Sequence, residues 1–170
     1  MIERSIPANI ELEIATNGTV IPSSNVVEKL NKFKNVYILV SLDSYSVVND
    51  YQRYGSSYQT IFENAKKYES FIKNGLITFH CVVTLLSAND LANTLNFLIK
   101  KHNYHVSIDF ARDPDYLSLL YAPQSYCDWV LEQNKDNDIA YKLIESFVKQ
   151  SRYNEQIWKS FIDNVETLDN

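Results

Sequence analysis

Hydrophobic positions along this chain switch repeatedly between two periods. Val106, Ile108 and Phe110 alternate with His105, Ser107 and Asp109, which predicts a strand over Tyr104–Phe110 with one buried face. Val36–Leu42 (VYILVSL) and Leu76–Leu86 are nearly continuous apolar runs rich in β-branched residues, which predicts strands covered on both faces. A shorter β-prone run, Glu11–Ala15, stops at the turn signal Thr16-Asn17-Gly18. Helical spacing fills the gaps. Val26, Leu30 and Phe33 follow a helix start at Pro22-Ser23-Ser24-Asn25, with Glu28 placed to complete a capping box with Asn25. Ile61, Ala65, Tyr68 and Ile72 mark a second helix, and Gly75 falls where a C-cap is expected. Leu91, Leu95, Leu98 and His102 mark a third, with Ser87 and Asp90 as its capping pair. The connection from Asp43 to Gln59 has no periodicity. Beyond Asp113-Pro114 two helices are expected, one carrying Ile139, Leu143 and Phe147, the other Ile157, Phe161 and Val165.

The order β-α-β-α-β-α-β followed by helices favours an α/β architecture with a parallel sheet. No linker divides the chain and no repeat longer than the βα alternation is visible. Residues 1–112 hold the alternation, and residues 113–170 form a helical extension expected to pack on the same domain. The first strand starts barely ten residues from Met1 and reads as the middle of a sheet.

Composition trims the field. With 170 residues, 45% of them apolar, the chain suits one globular domain. Sixteen Lys+Arg against 21 Asp+Glu give a net charge of −5, which argues against nucleic acid or an anionic membrane as partner. No apolar run approaches the ~20 residues that span a bilayer. Met1-Ile2-Glu3-Arg4-Ser5-Ile6-Pro7 lacks the basic-then-apolar order of a secretory signal, so a cytoplasmic location is expected. Gly18, Gly55 and Gly75 lie too far apart for a phosphate loop. Cys81 and Cys127 are the only cysteines, too few for a disulfide framework or a four-thiolate metal site. Both read as small buried thiols.

In parallel α/β folds ligands sit beyond the carboxyl ends of the strands. Those places hold Asn17, then Ser41 and Asp43, then Thr84, then Asp109. A Ser41 hydroxyl and an Arg53 fork could hold a carboxylate, while Asp43 could accept from a ribose or an amine. A plainer reading stays open: Asn17 and Gly18 form a left-handed turn, Asp43 starts an Asx-turn, and Arg53 is half of a surface ion pair. Tyr45, Tyr51, Tyr54 and Tyr58 could line a mouth or simply cover the sheet. His80, His102 and His105 show no ligand spacing.

The same residues carry a family resemblance. Glu13-Ile14-Ala15-Thr16-Asn17-Gly18-Thr19 resembles the third strand and turn of radical S-adenosylmethionine enzymes. Val40-Ser41-Leu42-Asp43-Ser44 with Asp50-Tyr51-Gln52-Arg53-Tyr54-Gly55 is similar to their fourth strand and its loop. Ser57–Asn64 resembles the start of the next family helix, and Phe79–Leu91 the fifth strand and its turn. The resemblance covers about residues 8–112 and implies the last four βα units of a partial (β/α)6 barrel. It implies that Ser41 and Arg53 contact the carboxylate end of S-adenosylmethionine, with Asn17 and Asp43 near the same pocket. The parent reaction it implies is reductive cleavage of that cofactor to a 5′-deoxyadenosyl radical acting on a peptide, protein or small molecule.

That chemistry needs a Cys-x3-Cys-x2-Cys loop holding a [4Fe–4S] cluster, and no such loop is present. The sequence is therefore expected to be the carboxyl-terminal part of a radical S-adenosylmethionine protein, with the cluster only in the intact parent and no catalysis by this chain. A second expectation comes from another class: a non-catalytic binding or scaffold half-barrel that hides its open edge by self-association.

Overall fold

Four segments have the residues for strands, and all four pair. In the computed structural model, which describes residues 9–168, β1 (Glu11–Thr16), β2 (Asn35–Ser41), β3 (Gly75–Val83) and β4 (His105–Phe110) form one sheet in the order β1-β2-β3-β4. Every pair is parallel. The architecture is therefore α/β, as the alternation predicts. The reading of Met1–Pro7 lies outside the described residues.

Parallel neighbours need crossovers, and helices supply them. The first is α1 (Ser24–Leu30); α2 (Val47–Gln52) and α3 (Tyr58–Phe71) link β2 to β3. A 3-10 turn (Ala88–Asp90), α4 (Leu91–Leu95) and a π-helical stretch (Asn96–Lys101) link β3 to β4. After β4, two 3-10 turns lead to α5 (Gln124–Asn134), α6 (Asp138–Val148) and α7 (Glu155–Leu168).

The helices lie on one face of the sheet. Val36, Ile38, Val40, Ile77, Phe79 and Cys81 are buried against Ile61, Phe62, Ala65 and Tyr68 of α3 and Leu98. Val83 joins a second cluster with Leu91, Leu95, Cys127, Ile144 and Phe147, and Val106 packs against both clusters. Each such large side chain contributes roughly 1.5–3 kcal/mol by leaving water. Two buried asparagines tie the C-terminal helices to α4. Asn134 Oδ1 accepts from Ala92 N (2.8 Å) while its Nδ2 donates to Ala88 O (2.9 Å). Asn137 caps α6 by accepting from Ile139 N and Ala140 N, and its Nδ2 donates to Asn96 Oδ1.

Several expectations are corrected. The continuous apolar runs of β2 and β3 are not covered twice: Tyr37, Leu39, Leu76 and Val82 belong to neither core cluster and are half-buried or exposed. Apolar composition alone does not distinguish a strand buried twice from one with an open apolar face. The capping box is absent. Ser23 is the N-cap of α1 with no side-chain hydrogen bond, and the helix buries no residue. Gly75 is not a C-cap but the first residue of β3, where Ile72 N closes α3 onto Tyr68 O. Ser87 is the N-cap of the 3-10 turn and not of α4, and it makes no side-chain capping hydrogen bond; its Oγ accepts from Thr84 N (3.0 Å). The featureless connection contains α2, and the C-terminal region holds three helices instead of two. On α6 the buried face is Ala140, Ile144 and Phe147, so Ile139 is exposed.

Candidate functional site

Beyond Ser41 the chain runs on for one more ladder hydrogen bond, Leu42 N to His80 O, and then turns into a charged site. Asp43 N donates to Asn49 Oδ1 (3.1 Å), and Asn49 is fully buried on α2. Ser46 caps that helix by accepting from Val48 N (3.3 Å). Arg53 ends it, with its N–H on Asn49 O (2.9 Å). One asparagine thus fixes both ends of the loop, and the two charged side chains meet. Arg53 Nε donates to Asp43 Oδ2 and Nη2 to Asp43 Oδ1, each at 2.8 Å. Val82 N, near the end of β3, also donates to Asp43 Oδ1 (3.1 Å). Asp43 is only 6% exposed. Bidentate, charge-assisted pairing of this kind is the strongest a carboxylate makes, and it fixes the guanidinium plane.

The pair borders a cavity of about 480 Å³, within the range of small-molecule sites. Gln52 and Thr84 continue the polar wall, Thr84 Oγ1 donating to Gln52 Oε1 (2.9 Å) and accepting from Leu86 N (3.1 Å). Tyr116 and Leu117, from the segment after β4, form a second wall. The third comes from α7, through Phe161, Asn164 and Val165. Segments following β2, β3 and β4 all contribute, so the cavity lies at the carboxyl end of the sheet. Two of the five guanidinium N–H donors serve Asp43, and the Nη1 edge has no partner among the described residues. The pair cancels its own charge. Its chemistry suits a zwitterion or polar neutral group better than a bare anion.

The four residues singled out in the sequence divide. Asp43 and Arg53 meet at the cavity; Ser41 and Asn17 do not line it. Asn17 Oδ1 accepts from Thr19 N (3.1 Å) and Thr19 Oγ1 (2.9 Å), and Gly18 adopts φ +71°, so the left-handed turn is present. Arg53 is not half of a surface pair, because its partner is buried. Of the tyrosines, Tyr51 lines the cavity, Tyr45 stacks on Phe97 at 3.4 Å between ring centroids, and Tyr54 is fully exposed.

Sequence reasoning passed over His80. Its register neighbours are Ser41 on β2 and Ser107 on β4, and its Nε2 lies 2.9 Å from Asp109 Oδ2. All four lie on the face opposite the helices. The strand alternation placed Asp109 and Ser107 on one face, but only the register between β3 and β4 reveals the pairing.

A [4Fe–4S] cluster does not fit this chain. Its ligands are thiolates, yet Cys81 and Cys127 are both fully buried, each within a different core cluster. Burial, then the nearby Asp43 charge, pushes the Cys81 thiol up to about 12, and burial pushes Cys127 up to about 11. Among the described residues no group of three or more His, Cys, Asp or Glu could hold a metal ion. No helix among them is long and apolar enough to cross a membrane. No protein-family model, curated protein or solved structure matches the chain.

Proposed function

We propose that this chain is the carboxyl-terminal, ligand-binding part of a radical S-adenosylmethionine-type barrel, and that it binds the amino-acid end of S-adenosylmethionine without catalysing its cleavage. One observation carries the reading: a cavity of about 480 Å³ at the carboxyl ends of a sequentially ordered parallel sheet, bordered by the Asp43–Arg53 pair. The Nη1 edge of Arg53 takes the ligand carboxylate, and Oδ2 of Asp43 retains a lone pair for its ammonium. Leu86, Leu117 and Phe161 offer apolar surface to the remainder of the ligand. In the intact parent a cluster would supply the electron, and nothing in this chain's two thiols replaces it.

The test is titration of isotopically labelled protein with S-adenosylmethionine, read by amide shifts. The expected result is weak saturable binding, with Kd on the order of 1 mM, about −4 kcal/mol, and shifts concentrated at Arg53, Thr84 and Asn164. Shifts absent at several-fold higher concentration, or confined to other residues, overturn the pocket.

A second reading has its own support. Among the described residues β1 and β4 each pair on one side only, and the sheet face opposite the helices carries half-buried Tyr37, Leu39 and Val82 outside both cores. A self-associating scaffold would cover them. Sedimentation equilibrium at micromolar concentration separates an associating chain from a monomer.

A further inference from the structure

The uncovered face has the anatomy of an interface. Its centre is Tyr37, Leu39 and Val82, its rim is mostly charged or polar with Ala15 and Leu76 as the apolar exceptions, and it is flanked by two strands whose outer edges pair with no strand among the described residues. Those edges match. β1 and β4 are both six residues long, and both run parallel to every other strand. On the open face β1 presents Glu11, Glu13 and Ala15, and β4 presents His105, Ser107 and Asp109. Glu11 is held by Lys34 and Asn35, and Asp109 by His80, whereas Glu13 and His105 are exposed with no partner among the described residues. One carries an acceptor and the other a donor.

We propose that two copies of this chain close face to face about a two-fold axis parallel to the strands, β4 of each pairing in parallel with β1 of the other, to make an eight-stranded barrel. This rests on the self-association reading above. The geometry favours a second copy because a two-fold axis of that direction is the one that sets β4 beside a parallel β1 twice over, removing all four edges at once. Eight is also the strand number whose interior side chains just fill. The single-sided placement of the helices leaves the interior clear, as a barrel requires. The sheet's own register aligns His105 with Ala15; a seam staggered from it by two residues brings Glu13 of one copy near His105 of the other, giving the pair the self-complementarity of an isologous interface.

The experiment is oxidative cross-linking of the Glu13→Cys/His105→Cys variant, with sedimentation of charge variants beside it. Within one copy these positions are separated by three strand spacings, roughly 14 Å, beyond the ~7 Å that a disulfide allows between Cα atoms. Any 13–105 disulfide is therefore between copies, and Cys81 and Cys127 are buried away from it. The expected result is a covalent dimer under mild oxidation and wild-type protein sedimenting at twice its 19.7 kDa. Glu13→Lys or His105→Glu alone should weaken the dimer at least tenfold, and the two together should restore it. A wild-type monomer at tens of micromolar overturns both this closure and the self-association reading. A dimer that gives no 13–105 cross-link and ignores the charge variants overturns the barrel closure alone. Should a variant misfold, hydrogen exchange on the wild type decides: β1 and β4 amides must gain protection together as concentration rises, and failure to do so refutes the seam.

Discussion

Breaking the Asp43–Arg53 pair should cost far more than losing a surface ion pair, and the size follows from its surroundings. Arg53→Met removes two charge-assisted hydrogen bonds of 2.8 Å and leaves a carboxylate, 6% exposed, with Val82 N as its remaining donor. Stranding a buried charge costs about 3–5 kcal/mol. The Arg53 side chain is 30% exposed, so water already screens part of the attraction, and we expect about 3 kcal/mol. Asp43→Asn keeps an oxygen for Val82 N but turns an amide NH2, a donor, toward Arg53 Nε and leaves the half-exposed guanidinium without its carboxylate, for about 2 kcal/mol. In the double variant neither charge is stranded and the total should stay near 3 kcal/mol, a coupling of about 2 kcal/mol. Urea unfolding followed by far-ultraviolet circular dichroism measures this directly. With a slope of about 2 kcal/mol per molar, Arg53→Met should move the midpoint by about 1.5 M. Additive single costs, with coupling under about 0.5 kcal/mol, would refute the claim that the pair is a desolvated unit.

Three further outcomes test the packing. Gly18→Ala should destabilise by about 2–3 kcal/mol, since φ is +71° and the new Cβ would meet Ile61 Cγ2 at 2.8 Å; Gly55→Ala, at φ +82° in open space, should cost only about 1 kcal/mol, both read from urea midpoints. Ile144→Ala, in the cluster shared by α4, α5 and α6, should cost about 3 kcal/mol and still give one calorimetric transition, because Val106 joins the two cores; two resolved peaks would separate residues 113–170 from the sheet. Cys81 and Cys127 have folded pKa values raised to about 12 and 11, so the unfolded chain loses those protons first. Stability is therefore intact below about pH 8.5, where an exposed thiol ionises, and falls as pH climbs toward the folded values. Urea midpoints between pH 8 and 10 should drop, and less so in Cys81→Ala.

The strands were legible because each is marked by composition over five or more residues; all four lie within three residues of their expected ends. What escaped was short or set at a distance. The helix α2 spans six residues, too few for a hydrophobic stripe, and depends on the Ser46 cap and on Asn49, whose side chain reaches back to Asp43. The α6 face shifted by one position because Asn137 caps the helix and points Ala140, not Ile139, inward. Asp43 and Arg53 were visible as candidates, but their mutual pairing was not, since ten residues of loop must fold before they meet. The α7 wall of the cavity was visible only as a helix face through Phe161 and Val165, with nothing to mark it as part of a site. Its Asn164 belongs to an ordinary amphipathic pattern until the fold lays that helix across the strand ends.

The self-cancelling charge of the site bears on which ligand it prefers. A lone arginine would draw any anion, and its affinity would fall steeply with salt. Here the Asp43 carboxylate already neutralises Arg53, so on the proposed reading recognition would rest on the direction of the Nη1 donors and on cavity shape. The chain as a whole carries −5, which mildly favours a ligand bearing a cation. S-adenosylmethionine has a sulfonium cation and S-adenosylhomocysteine has none, while their amino-acid ends are identical. If the amino-acid end is what binds, the two should differ in Kd by less than about fivefold, or 1 kcal/mol, and both should keep their affinity between low and moderate salt. A preference for the sulfonium above tenfold, abolished by salt, would mean that the protein's field and not the Asp43–Arg53 geometry selects the ligand.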